Sequence, residues 1–343
     1  MNPIMTSLIL SSLALGTIIT MTSFHWMMAW IGLELNTLAI IPLIAKQHHP
    51  RATEAATKYF LTQAAASATI LFSSTTNAWH TGIWDITQLS NQPASLMLTM
   101  ALAMKLGLAP LHFWLPEVLQ GTPLNTALII TTWQKLAPMS LLYMTHPSLH
   151  STTLVTMGLL STLVGGWGGM NQTQTRKIMA FSSIAHLGWM ATILTLSTDI
   201  LLLNLTLYLI MTSSMFLALI MTSSKTIKDM MTIWPVSPTT TALMLTLLMS
   251  MGGLPPLTGF MPKWLILQEL VNHHLSLTAL ILALSALLSL FFYLRLSYTT
   301  ALTTHPTTTQ NKYKWRLHPK LKTTMMTTTL ILSTLMLPIM PTL

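Results

Sequence analysis

One glutamate and three lysines stand where a charge is expensive. Glu34, Lys105 and Lys135 each fall within two residues of the middle of an apolar window, and Lys263 directly follows a Gly-Pro break inside another. A lysine at the centre of a bilayer costs roughly 2.5 to 3.5 kcal/mol on insertion scales, and mid-window positions leave little scope for snorkelling to the surface. A buried lysine has its proton affinity lowered by desolvation and raised by a nearby carboxylate, so it can be poised and switched by its partner. A Glu–Lys pair followed by further lysines could hand protons along a hydrated file, each charge movement changing the next group's affinity. The alternative for any one of them is a structural ion pair. His112 and His186 lie within spans too; they are either helix-to-helix hydrogen bonders or neutral bridges of such a relay.

The elements that must position these groups are transmembrane helices. The 343 residues carry 7% charged against 52% hydrophobic side chains, whereas soluble domains average about 25% charged. Apolar windows cover residues 3–22, 24–44, 56–78, 95–115, 123–145, 149–169, 175–196, 200–222, 239–270, 274–298 and 323–342, each near the length that crosses the hydrocarbon as helix. The expected fold is an all-α integral membrane bundle of about 11 transmembrane helices. Lys46, Arg51, Lys58, Arg176, Lys177, Lys225, Lys228, Arg295, Lys312, Lys314, Arg316, Lys320 and Lys322 all fall on one side of that topology, which places the N-terminus inside and the C-terminus outside. The stretch 299–323 reads as a long inside loop, and no removable presequence is evident.

Two windows carry helix breakers and share a local sequence. Gly107-Leu-Ala-Pro-Leu-His-Phe-Trp-Leu-Pro116-Glu117 and Gly253-Leu-Pro-Pro-Leu-Thr-Gly-Phe-Met-Pro262-Lys263 lie 146 residues, or five helices, apart. An odd-numbered repeat reverses direction in the membrane, so inverted repeats with two discontinuous helices are expected: 1–148 the first, 149–298 the second, 299–343 the inside loop and a last helix. Interrupted helices expose backbone groups at membrane depth and favour water there. Lys105 precedes one break and Lys263 follows the other.

Other classes of chemistry are excluded. A net charge of +9 is dispersed over loops, with no basic helix to grip nucleic acid. The absence of cysteine removes iron–sulfur ligation, disulfides and thiolate nucleophiles. There is no phosphate loop, dinucleotide fingerprint or nucleophile triad, and too few in-span histidines for haem. Trp26, Trp30, Trp79, Trp84 and Trp234 read as interfacial anchors. His48, His49, His273 and His274 read as loop or interface residues, and Glu54, Asp85, Asp199, Asp229 and Glu269 as solvated, with Glu117 undecided. The 27 methionines suggest a mitochondrial coding bias rather than a packing need.

Gly32-Leu-Glu34-Leu-Asn36, Lys105-Leu-Gly-Leu-Ala-Pro-Leu-His-Phe-Trp-Leu-Pro116, Trp133-Gln134-Lys135-Leu-Ala-Pro138 and Gly252-Gly-Leu-Pro-Pro-Leu-Thr-Gly-Phe-Met-Pro-Lys263 together resemble the antiporter-like membrane subunits of respiratory complex I, NADH:ubiquinone oxidoreductase, in a shortened animal form. The resemblance implies a proton-pumping subunit of the mitochondrial inner membrane, N-terminus in the matrix and C-terminus in the intermembrane space. It implies Glu34 and Lys105 as a coupling pair, Lys135 as central relay, Lys263 toward the exit, and His112 and His186 as further members of the polar axis. Flavin, iron–sulfur clusters and ubiquinone would then belong to other subunits, with no cofactor on this chain. The implied partners are other membrane-arm and accessory subunits and lipids such as cardiolipin, not nucleic acid. Two rival readings are a free-standing Na⁺/H⁺ antiporter, which would need more carboxylates than Glu34, and a structural membrane subunit without its own proton path.

Overall fold

Long apolar runs interrupted by Gly, Pro and short polar stretches become helices interrupted at those points. A computed structural model describes residues 2–235, 237–302 and 323–338, so Lys312, Lys314, Arg316, Lys320, Lys322 and most of the expected inside loop lie outside the described residues. The helices are α1 (Pro3–Thr22), α2 (Trp26–Ile44), α3 (Pro50–Thr81), α4 (Gln92–Leu106), α5 (Trp114–Gly121), α6 (Leu124–Thr131), α7 (Trp133–Thr145) and α8 (Ser151–Met170). They continue as α9 (Thr175–Ile193), α10 (Thr198–Thr222), α11 (Ile227–Met231), α12 (Pro238–Gly252), α13 (Phe260–Asn272), α14 (Ser276–Ala301) and α15 (Thr324–Leu335). No strand forms among the described residues.

Five of these, α1, α2, α8, α10 and α14, are each long and apolar enough to cross a membrane alone. The other expected windows hold shorter, broken or more polar helices. Both predicted breaks appear, separating α4 from α5 and α12 from α13. The window 123–145 is also divided, at Thr132, with φ −107° and ψ −71°, a break unannounced by glycine or proline. The five-residue α11 lies between two of the expected windows.

Two compact units result. The first comprises Met1–Ser161 with Met190–Thr198, the second Thr162–Trp189 with Asp199–Leu343. In the first, α2 packs between α1 and α3, α3 packs on both α4 and α5, and α7 contacts α1, α2 and α4. The α1–α2 crossing is close because Gly16 and Gly32 face each other: a Cβ on Gly16 would stand 2.9 Å from the Gly32 carbonyl oxygen, and one on Gly32 2.8 Å from that of Gly16. Small residues let membrane helices approach in this way. In the second unit α12 packs on α14 and α15, and α11 and α13 both pack on α14.

Tryptophan placement departs in part from expectation. Trp79 is 89% exposed, as an interfacial anchor would be, whereas Trp26 is buried against its own unit. Its backbone amide bonds the Trp84 carbonyl, and the neighbouring Phe24 carbonyl accepts from Ile86. These bonds draw the start of α2 into a short extended pairing instead of leaving Trp26 at a lipid surface.

The turn before α11 is a capping box: the Thr226 hydroxyl accepts from the Asp229 amide, and the Asp229 carboxylate accepts from the amides of Thr226 (2.9 Å) and Lys225 (3.1 Å). Burial alone would raise the carboxyl's proton affinity, but these backbone bonds, the Thr226 hydroxyl and the Lys225 charge outweigh it and hold Asp229 below the usual carboxylate range. The stabilisation is therefore fully present above the free carboxylate's value and is lost as pH falls through the folded one. Asp229→Asn is expected to speed amide exchange over 225–231 at neutral pH, with the difference from the parent shrinking in acid; a pH-independent difference would show that charge is not the cause.

Substituting Gly16 by Leu should force α1 off α2, because the nearest atoms to any Cβ there are Asn36 Oδ1 at 2.5 Å and the Gly32 carbonyl. Overpacking of this kind costs about 1–3 kcal/mol or more, and lower thermal stability of the membrane assembly is the expected readout.

Candidate functional site: a lysine cavity beside a helix break

The α4 break dictates what surrounds the first two lysines. Gly107 adopts φ +79°, a left-handed conformation costly for residues with a side chain. It ends α4, and its amide bonds the carbonyls of Ala103 and Met104 while Leu108 also bonds Ala103. The last carbonyls of the helix still need partners, since an unpaired backbone group in hydrocarbon costs several kcal/mol. Side chains supply them. Trp114 Nε1 donates to the Met104 carbonyl at 3.1 Å, Gln63 Nε2 reaches that of Lys105 at 3.5 Å, and Lys135 Nζ donates to that of Leu106.

Lys135 is 1% exposed. It lies in the first turn of α7, directly after the break at Thr132, and its ammonium lies 5.5 Å from the centre of the Trp114 ring, within cation–π range. Trp114 thus serves the break twice, donating its N–H to one carbonyl and offering its ring to the lysine that meets another. Tyr59 packs edge-on against it with ring centres 5.7 Å apart.

Lys105 and Lys135 line one cavity together with Asn36, Thr37, Tyr59, Gln63 and Gln134. The room for a water's centre within it is about 10 Å³, near the least that holds one water. Lys105 is 4% exposed, and among the described residues its Nζ has no hydrogen-bond partner. The side chain of Asn36, 1% exposed, is likewise without a partner at either polar atom, although its backbone carbonyl accepts from Gln134 Nε2 at 3.4 Å.

Glu34 acts on Lys105 and on Tyr59 electrostatically, yet it does not line the cavity and forms no ion pair with Lys105 among the described residues. Its Oε2 is buried and, among the same residues, unpartnered. The pair is therefore apart in this conformation. His112 sits in the α4–α5 connection, 6% exposed, with Nδ1 unpartnered among the described residues and its ring 4.3 Å from that of Phe113; it is not part of the cavity wall. Glu117, undecided from sequence, turns to the surface, where Lys58 bridges it at 2.7 Å and Glu54 at 2.5 Å.

In the second unit Gly253 repeats the conformation of Gly107, with φ +81° against +79° and ψ +44° against +41°. Lys263, on the first turn of α13, folds back so that Nζ donates to the Gly252 carbonyl at 2.8 Å. His186 on α9 is 8% exposed, lies within electrostatic reach of Lys263, and packs at 5.7 Å against the ring of the buried Tyr208.

Tyr59, Gln63, Asn36 and Gln134 had no role in the sequence reading. A signal did exist for α3: Tyr59, Gln63 and Ser67 recur every four residues, a polar stripe that Ser74 and Asn77 continue along the same buried face, beside Ala and Ile.

Apolar helices interrupted at two places 146 residues apart, with a lysine ammonium on the last carbonyl before each of those breaks, are the features of an antiporter-like membrane subunit. Residues 23–289 match the family described as NADH:quinone oxidoreductase/Mrp antiporter, TM, and 290–343 the NADH dehydrogenase subunit 2 C-terminus. The fold is similar to a chain of respiratory complex I from Thermus thermophilus, at TM-score 0.87 and 24% identity over 99% of this chain and 80% of that one. It is also similar to a chain of the Mrp complex from Dietzia, at TM-score 0.76 and 18% identity over 86% and 60%. In sequence it is 59% identical to the NADH-ubiquinone oxidoreductase chain 2 of Varanus timorensis and 58% to that of Xenopus laevis, each over 341 residues and 99% of both chains. The chain belongs to the NADH-ubiquinone oxidoreductase chain 2 family: it is a membrane subunit of complex I, and other complex I subunits are its partners.

Trp114→Phe keeps a ring beside Lys135 and removes the donor to Met104. The carbonyl keeps the Gly107 amide and loses one of its two donors, worth about 0.5–1.5 kcal/mol, so the variant should assemble with a lower unfolding temperature; an unchanged temperature would assign the carbonyl's satisfaction to the Gly107 amide alone.

Proposed function

We propose that this subunit moves protons through Lys105 and Lys135, with Glu34 setting the charge state of Lys105 and Lys263 serving the outlet side. The observation that carries this is the single cavity lined by both lysines, in which neither meets a carboxylate among the described residues. Two amines that share a space about one water wide can exchange a proton through that water, since each can hold it and neither is locked by a counter-ion. Approach of the Glu34 carboxylate would favour a charged Lys105, and withdrawal would favour passing the proton on toward Lys135. Asn36 and Gln134, as neutral donors and acceptors, orient water without competing for the charge. His112 and His186 extend the polar path as further, less central members.

The same reading gives the chain about eleven crossings of the mitochondrial inner membrane, as two inverted five-helix repeats, 1–148 and 149–298, followed by 299–343. The N-terminus lies in the matrix and the C-terminus in the intermembrane space. Flavin, iron–sulfur clusters and ubiquinone reside on other subunits, whose redox chemistry supplies the energy. Membrane lipids such as cardiolipin surround the exposed apolar helices, and nucleic acid has no part.

One observation favours a structural role instead: Lys135 bonds a backbone carbonyl, as a lysine that merely locks helices would. Two variants separate the readings. Lys135→Ala is expected to assemble into the complex and to lose proton translocation coupled to NADH oxidation, on the order of 10²-fold in the step it serves. Lys135→Arg retains charge and donors but cannot release a proton, so it should fail in the same way. A normal proton-to-electron ratio in the arginine variant, measured in sealed vesicles, would leave only the locking role.

A further inference from the structure

The repeat offset of 146 residues makes Leu106 and Gly252 equivalent positions, each the last residue of its helix before a left-handed glycine. Both carbonyls accept from a lysine ammonium, and the lysines are not equivalent. Leu106 is met by Lys135, 29 residues on and carried by another helix, α7. Gly252 is met by Lys263, 11 residues on and carried by its own continuation, α13. At the same offset, Lys135 corresponds to Ile281 and Lys263 to Glu117. Each half thus lacks the basic residue that the other half uses. In the first, position 117 is an acid that turns outward to Lys58; in the second, α14 offers only an aliphatic side chain where α7 offers the lysine. Two different sequence solutions arrive at one contact.

That convergence has a physical reason. The end of an interrupted helix presents carbonyls with partial negative charge at a depth where water is scarce, and a cation there satisfies both the hydrogen bond and the dipole. The second unit contains a comparison: Arg295 Nη1 donates to the carbonyl of Met170, the last residue of α8, at 2.5 Å. There the capping cation is a guanidinium, which stays charged.

We infer that the Leu106 and Gly252 carbonyls are docking stations for a lysine ammonium, so that Lys135 and Lys263 act as positioning residues that hold each helix break closed while they carry a proton. Loss of the charge loosens the break, because an uncharged amine keeps N–H donors but no longer answers the helix dipole. The cap itself follows from the contact geometry; its link to proton transfer rests on the relay reading above, and the two are separable by experiment.

The test uses the assembled complex carrying Lys263→Met or Lys263→Arg, with hydrogen exchange followed over 249–260. The amides of Gly253 and Leu254, which close the last turn of α12 on Ser250 and Met249, should exchange at least fivefold faster in the methionine variant. The arginine variant should stay within twofold of the parent, although its proton translocation is lost. Parent-like exchange in the methionine variant overturns the cap and leaves the relay standing. Parent-like protection with normal proton translocation in the arginine variant supports the cap and removes the relay. Should the methionine variant fail to assemble, the arginine variant decides alone: parent-like protection supports the cap, and a break exchanging more than fivefold faster overturns it.

Discussion

A broken helix in hydrocarbon leaves carbonyls that must find donors, and much of the architecture of this chain answers that demand. At the end of α4 the donors are drawn from three places: α3 gives Gln63, α5 gives Trp114 and α7 gives Lys135. Each contact is modest alone, about 0.5–1.5 kcal/mol net for a neutral pair. Leaving the same carbonyls bare would cost several times more. The break therefore recruits helices around itself, and the cavity forms where they meet.

The same arrangement brings ionisable groups into the buried interior of the helices. Lys135 is held near Lys105 because it serves the carbonyl one residue beyond it, so the structural requirement and the proposed proton site occupy the same few residues. A lysine can fill both roles, because its ammonium is a compact charge with three donors and can give up a proton as arginine cannot. The aromatic wall made by Trp114 and Tyr59 accepts the cation without adding a competing carboxylate. Glu34 remains close enough to act through its field and far enough not to lock the pair.

The helical, membrane-embedded class and the sites of both main breaks were legible because they depend on composition and on Gly and Pro at particular positions. The break at Thr132 was not, since nothing in Thr131-Thr132-Trp133 forbids a continuous helix; the surrounding packing decides it. Trp26 has the position of a lipid-facing anchor near a helix end, but backbone pairing of 24–26 with 84–86 buries it. The buried stripe of Tyr59, Gln63 and Ser67 carried a four-residue period that apolar windows, summing over all faces, average away.

By itself the sequence determined that Glu34, Lys105, Lys135 and Lys263 stand inside apolar windows, and that two segments 146 residues apart interrupt their helices, because hydropathy and backbone geometry are local properties of residue type and order. Only the tertiary structure decided that Lys105 and Lys135 share a cavity, that Glu34 stands back from it, and that different lysines meet the equivalent carbonyls of Leu106 and Gly252. Those facts depend on which helix faces which, and position along a chain does not specify direction across a bundle.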